Sequence, residues 1–206
     1  MPSFSRRLPY GLTLLAPLAL AACSSSGAGL TGLDEVVDTD LLVESGYTLD
    51  PETQRIAEEV ADRGANADMA TVLPVSGVGT YNGEFGAVID RDPDHSSIYG
   101  DTEIMVNFGN RNVSGEFTPV EGRDSESPAS PFAMTGTLVV DGLLTGSEID
   151  GTLAGEIYAG AIGPFNVDTD LDGAIGGGST GVVGTFDGDF SFGTTVYPIE
   201  GVYYAE

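Results

Sequence analysis

The sequence has no lysine and no tryptophan, and only one cysteine and one histidine in 206 residues. Each absence removes a class of chemistry. A single cysteine allows no disulfide within the chain. Without lysine there is no amine for Schiff-base chemistry. The lone histidine has no Gly-x-Ser-x-Gly context to make a serine nucleophile beside it. No phosphate loop or dinucleotide fingerprint occurs, so no cofactor is assigned. Basic charge is scarce: seven residues, all arginine, stand against 32 acidic ones, for a formal charge of -25. Such a chain repels nucleic acid and anionic lipid surfaces. A cationic partner or high salt is easier to accommodate, and the carboxylates keep the surface solvated. What the chain has in excess is glycine, 30 residues, at about twice the usual ~7%. There is no Gly-X-Y period and 41% of residues are hydrophobic, which excludes collagen and argues for turns and tight strands.

The chain starts MPSFSRRLPYGLTLLAPLALAACSSSG. Arg6 and Arg7 form a charged start, Gly11 to Leu20 a short apolar stretch, and Ala21 and Ala22 a small-residue site. This reads as a secretory signal over residues 1–22, too short to span a bilayer stably. The junction Leu20-Ala21-Ala22-Cys23 resembles the lipobox of bacterial lipoproteins. That resemblance implies that the thiol of Cys23 takes a diacylglycerol and that cleavage frees its amino group. Several acyl chains on Cys23 would hold the protein at a membrane, because one alone binds only marginally. Ser24 follows where inner-membrane retention has Asp, so the resemblance implies outer-membrane sorting.

Residues 23–71 read as a tether and a helical arm. Ser24 to Gly32 are small and flexible, and the acidic stretch after them is a weak helix or irregular. A clearer helix follows: Asp50 caps it, Pro51 suits its first position and Glu52 favours its N-terminus. Ile56 and Val60 share one face, and Gly64 is the expected stop. A single helix of this length is marginal alone, so it is expected to dock on the domain.

From residue 72 to 206 the period is two. Tyr81, Phe85, Ala87 and Ile89 share one face of the first strand, against Thr80, Asn82 and Glu84. Later strands place Ile104, Val106 and Phe108 inward, then Val113 and Phe117, then Phe132, Met134, Leu138 and Val140. Ile149, Leu153 and Ile157 follow, then Phe165, Val167, Leu171 and Ile175, then Val182, Phe186 and Phe190, then Tyr197, Ile199 and Tyr203. A unit recurs as VSGEF, MTGTL, IDGTL, LDGAI, VVGTF and IEGVY, always with glycine on the apolar face. Glycine weakens a strand, so a flat sandwich gains little from it. A narrow closed barrel gains room for large side chains from facing strands, and the sharp coiling that closure needs. Serine, threonine and acids point outward, the reverse of a membrane-spanning barrel. The expected fold is all-β, an eight-stranded antiparallel up-and-down barrel with a water-soluble exterior, a filled interior and a short N-terminal helix. The outer face of the last strand, with Val196, Val202 and Tyr204, is the expected seat of that helix. The stretches DRDPDHSSIYG and VEGRDSESPASP read as the longest loops.

The stretches LPVSGVGTYNGEF and TDLDGAIGGGSTGVVGTFDGDF resemble the eight-stranded barrel domain of transferrin-binding protein B and its small relatives, over Leu73 to Glu206. Those relatives are bacterial surface lipoproteins, often described as transferrin-binding-protein-like solute-binding proteins. The resemblance implies a non-catalytic binding protein, anchored at the outer membrane, that captures a solute or a protein partner, with a link to iron or haem uptake. In the large members, host-protein contacts come mainly from extra handle domains and loops, which a chain of 206 residues is not expected to carry. Related barrels capture haem or complement regulators, so the ligand stays open. The rival reading is a structural envelope lipoprotein, a spacer or assembly partner with no soluble ligand.

Three constellations are weighed as sites. Asp168-x-Asp170-x-Asp172-Gly173 begins like a calcium loop, but the twelfth position is Ser179, where a bidentate Glu is wanted. The same aspartates fit the outer face of a strand, which is the expected reading. His95, near Asp92, Asp94 and Tyr99, is expected to be a loop residue and not a haem or metal ligand. Arg91, Arg111 and Arg123 are expected in loops as paired surface charges. No catalytic residue and no metal ligand is assigned. Cys23 is the one site, for lipid attachment.

Overall fold

Eight long strands, several with alternating buried and exposed positions, build this computed structural model, which describes residues 41–44, 46–66, 68–127, 129–177 and 180–206. The leader, Cys23, the tether and Ser179 lie outside the described residues. The strands are β1 (Val78–Arg91), β2 (Asp94–Asn107), β3 (Asn112–Asp124), β4 (Phe132–Thr145), β5 (Glu148–Ala159), β6 (Ile162–Ile175), β7 (Val182–Phe192) and β8 (Thr195–Ala205). Each pairs antiparallel with the next. β1 also pairs with β8, from Gly83 opposite Ala205 to Ile89 opposite Ile199, and closes the barrel.

The strands run further than the sequence signals indicated. The expected long loop around His95 is a tight turn at Asp92 and Pro93. Arg91 pairs with Asp94 and Asp90 with His95 right up to its tip. Polar residues read as loop there because the hairpin tip is wet on its outer side. Arg91 and Arg123 accordingly end strands β1 and β3 and are not loop residues; only Arg111 sits in a turn, with φ 66°. The second expected break survives between β3 and β4.

The recurrent inward glycines serve both purposes that closure requires. A Cβ on Gly201 would lie 2.2 Å from the Phe186 ring, and one on Gly184 would lie 2.4 Å from the Tyr203 ring. At Gly83 the obstacle is instead the neighbouring strand's backbone, with the Tyr204 carbonyl oxygen 1.9 Å from such a Cβ. Into the vacated space project Phe85, Phe117, Phe186 and Tyr203, all fully buried, which fill the waist of the barrel. Phe117 touches the other three at centroid distances of 5.1 to 5.8 Å, two of these contacts edge-to-face. This is the geometry in which aromatic quadrupoles attract. Burial pushes the Tyr203 hydroxyl far above the ordinary tyrosine range, and the hydroxyl donates to the Asp172 carbonyl oxygen at 3.3 Å.

One end of the barrel is closed by the chain that enters it. Met69 makes an isolated bridge to Gly176, and the Ala70 amide donates to the Ile175 carbonyl at 2.9 Å. Ala70 is buried and Leu73 packs on the core from the same segment. The amide of Phe108 donates to the Gly77 carbonyl, which ties the β2–β3 corner to the same closure.

Two helices lie outside the barrel: α1 (Leu41–Glu44) and α2 (Pro51–Asn66). Asp50 caps α2 as its sequence requires, Oδ1 accepting from the amides of Glu52 at 3.0 Å and Thr53 at 3.3 Å. The helix does not stop at Gly64. It continues to Asn66, whose side-chain amide donates to the Asp62 carbonyl and closes the last turn. Its apolar face, Ile56, Ala57 and Val60, packs with Leu42 on Val88 of β1 and Val202 of β8. Tyr204 joins this seat, but Val196 does not and is 55% exposed. Gly86 admits the helix closely, since a Cβ there would lie 3.1 Å from the Thr53 methyl. Arg55 ties helix to barrel by bridging Glu52 and Glu84, and the Tyr204 hydroxyl also donates to Glu84. Burial raises the Glu84 pKa, yet these two partners together outweigh it and leave the carboxyl below its ordinary range.

Candidate functional site

Among the described residues no such plug covers the other end of the barrel. Here the inward positions of all eight strands arrive together: Ile89 and Arg91 from β1, Ser96 and Ile98 from β2, Asp124 from β3, and Phe132 and Met134 from β4. Ala159, Ile162, Phe165, Phe190, Phe192 and Tyr197 complete the ring. Alternation puts most of them there, at the ends of the rows of inward residues that fill the waist, while Asp124 and Ile162 arrive through register shifts in β3 and β6. They enclose an open cavity of about 380 Å³, at the small end of the range typical of ligand pockets.

The cavity wall has two chemically distinct sides. On the β6–β7 side Phe165 stacks on Phe190, with centroids 5.0 Å apart and planes at 24°, and Phe192 lies 5.0 Å from Phe165. Phe192 is 46% exposed and Ile162 59%, so the rim here is apolar and wet. On the β1–β3 side Arg91 donates from Nη2 to Asp124 Oδ1 at 2.6 Å, and the Ser96 hydroxyl donates to the same oxygen. Asp124 is held to Arg91 because β1 and β3 both flank β2, at Ser96 and His95. One atom in this group is left over: Arg91 Nε is buried and has no acceptor. A buried unpaired donor costs free energy, and protein atoms cover this one, so it is the exposed edge of the guanidinium that faces the cavity.

Sequence reasoning identified the apolar half of this lining, since Ile89, Phe132, Met134, Phe165, Phe190 and Tyr197 were all expected inward. It missed Arg91, Ser96 and Asp124. The signal for Arg91 was present, because it continues the inward parity of Phe85, Ala87 and Ile89. No such signal existed for Asp124, since β3 slips register against β2 at Tyr99 and Gly100.

The other weighed residues fall elsewhere. His95 is on β2 but turns outward. Its ring lies 5.1 Å from that of Tyr47, and Nε2 is 3.0 Å from the Thr48 carbonyl oxygen, which can only accept. The histidine pins the linker before α2 to the barrel wall. Asp168, Asp170 and Asp172 stand at alternate exposed positions of β6, facing Asp189 and Asp187 of β7 and Asp150 of β5. They form a strand face and not a calcium loop. Burial, with Asp150, Asp187 and Asp170 adding repulsion, raises the Asp172 pKa. Among the described residues no group of three or more His, Cys, Asp or Glu is arranged to hold a metal. The three arginines do not converge. Arg123 binds Glu121 at 2.9 Å beside the open end, whereas Arg111 lies at the opposite end, 3.5 Å from the Gly146 carbonyl.

No helix among the described residues is long and apolar enough to cross a membrane. No family model matches the chain, and no curated protein does. Two solved structures are similar to it. One is intact Ap-TbpB with its N and C lobes, at 17% identity and a TM-score of 0.45. The other is a double mutant of the vaccine antigen transferrin binding protein B from Haemophilus parasuis, at 17% identity and a TM-score of 0.44. In both, the match covers 68% of this chain and only 28% of the other, so this chain corresponds to little more than a quarter of either of those molecules.

Proposed function

We propose that this chain is a non-catalytic binding protein of the bacterial envelope, held at the outer membrane by lipid on Cys23, that presents the open end of its barrel to a solute or a protein partner. The observation that carries this reading is the asymmetry of the barrel. The waist is packed solid and one end is plugged, but the other end keeps a cavity with an apolar rim and one half-buried polar pair. Exposed aromatic surface around a concavity marks binding sites. The lining supports binding over catalysis. Its one aliphatic hydroxyl, on Ser96, is engaged by Asp124, and no imidazole or thiol stands beside it among the described lining residues. The lipobox at Cys23 and the glycine-spaced strands support the anchored, surface-exposed placement, and iron or haem uptake is the process that resemblance connects with it.

Two measurements test the reading. Cells given an alkyne-tagged fatty acid should label the wild-type chain and leave Cys23→Ser unlabelled; equal labelling removes the anchor. The purified mature protein should then be titrated against haem, iron complexes, host iron carriers and envelope proteins. One saturable partner supports the binding role. Silence across that panel, together with loss of envelope integrity on deletion, favours the structural lipoprotein instead.

A further inference from the structure

Resting on the reading of the open end as a binding site, we propose that the cavity takes one small uncharged amphiphile, its apolar body against Phe165, Phe190 and Met134 and a single hydrogen-bond acceptor on Arg91.

The size and lining set the first half of this ligand. A cavity of about 380 Å³ walled by stacked phenylalanines and aliphatic side chains excludes a macromolecular segment of any length and favours a compact apolar body. The polar side sets the second half. Ser96 and Arg91 Nη2 are both spent on Asp124 Oδ1, but the guanidinium has five N–H groups and the Arg91 side chain, 30% exposed, lines the cavity, so donors remain on its exposed edge. The unmet need at the wall is therefore for an acceptor, such as a hydroxyl, ether, ester or amide oxygen.

Charge decides between a neutral acceptor and a carboxylate. A carboxylate would enter beside Asp124, in a chain of net charge -25, and would lose its hydration against aromatic walls. A cationic head would find the Asp124 carboxylate already paired with Arg91 and Ser96, and would lose its hydration against the same walls. A neutral acceptor meets neither objection.

The test uses the purified protein and a neutral fluorescent probe, N-phenylnaphthylamine, displaced in turn by octanol, octanoate and octylammonium. The expected result is saturable probe binding at one site per chain. Octanol should displace the probe at a concentration at least about tenfold lower than either charged analogue. Ile162→Arg changes a residue that is 59% exposed at the rim, so the fold is retained, and probe affinity should drop about tenfold. Arg91→Lys keeps a cation opposite Asp124 but removes the guanidinium's extra donors, and should shrink the octanol advantage to about threefold or less. Stronger displacement by octanoate or octylammonium overturns the ligand class. Probe binding that ignores Ile162→Arg overturns the placement. A folded protein that binds no probe overturns the inference outright. A protein or haem partner found in the titration panel would then still uphold the binding role, with the rim as its contact.

Discussion

The two ends of this barrel are built from the same kinds of strands and end differently. At one end Ala70 and Leu73 are pulled over the core by backbone bonds to β6, so apolar side chains there are covered by the chain's own entry segment. At the other end three of the four hairpin turns are short and, among the described residues, Phe192 and Ile162 stay wet beside a cavity. The difference teaches that closure of a barrel wall does not fill its ends. Each end needs its own lid, and the described residues supply one.

The comparison makes stability uneven along the barrel axis. Phe186→Ala, in the waist, should cost about 4 kcal/mol, whereas Phe192→Ala at the open rim should change stability by less than ~0.5 kcal/mol. Paired urea denaturation curves measure both, and equal costs would break the distinction between packed waist and open rim. Gly201→Ala should cost about 2 kcal/mol, because its methyl would meet the Phe186 ring at 2.2 Å where Phe117 and Phe85 leave no room to retreat. Leu73→Ala should cost about 1 kcal/mol as the closed end loses part of its half-buried lid. Thermal melts read this change, and a cost below that of Phe192→Ala would reverse the ranking of the two ends.

The smallest effect is on the outer wall. Asp172 faces Asp150 directly across β5–β6, so Asp172→Asn should stabilise the barrel by about 0.5 kcal/mol at neutral pH. The sign follows from the raised pKa of Asp172 in the folded state. Ionisation is then less favourable folded than unfolded, so the penalty is absent at low pH and grows as pH rises through the folded pKa. The gain from Asp172→Asn should accordingly vanish below about pH 4, where both states are protonated. A gain that persists there would assign it to something other than charge.

Much of the wall could be read before any coordinates. The parity of Tyr81, Phe85, Ala87 and Ile89 assigned the faces of β1, and the glycine-centred units identified the narrow bore. The sequence also signalled that β1 and β8 are covered on both faces, a signal read for β8 and not for β1. Gly86 and Val88 on β1, like Val202 on β8, are small or apolar at outward positions because α2 lies over them. The polar half of the cavity was less legible. Asp124 reaches Arg91 only after a register slip in β3, and slips leave no trace in residue spacing. The loop reading of His95 failed because polar residues at a hairpin tip look alike whether or not they are paired to the end.

Sequence alone determined which side chains face the bore and that the bore is tight, since both follow from local alternation and from glycine's missing Cβ. Tertiary structure alone decided which end is open and what lines it. An end is sealed by contacts such as Ala70 with Ile175, and a polar pair such as Arg91 with Asp124 is assembled across strands. Both join residues far apart in the chain, whose meeting depends on the closed register of all eight strands and on no pattern within any one of them.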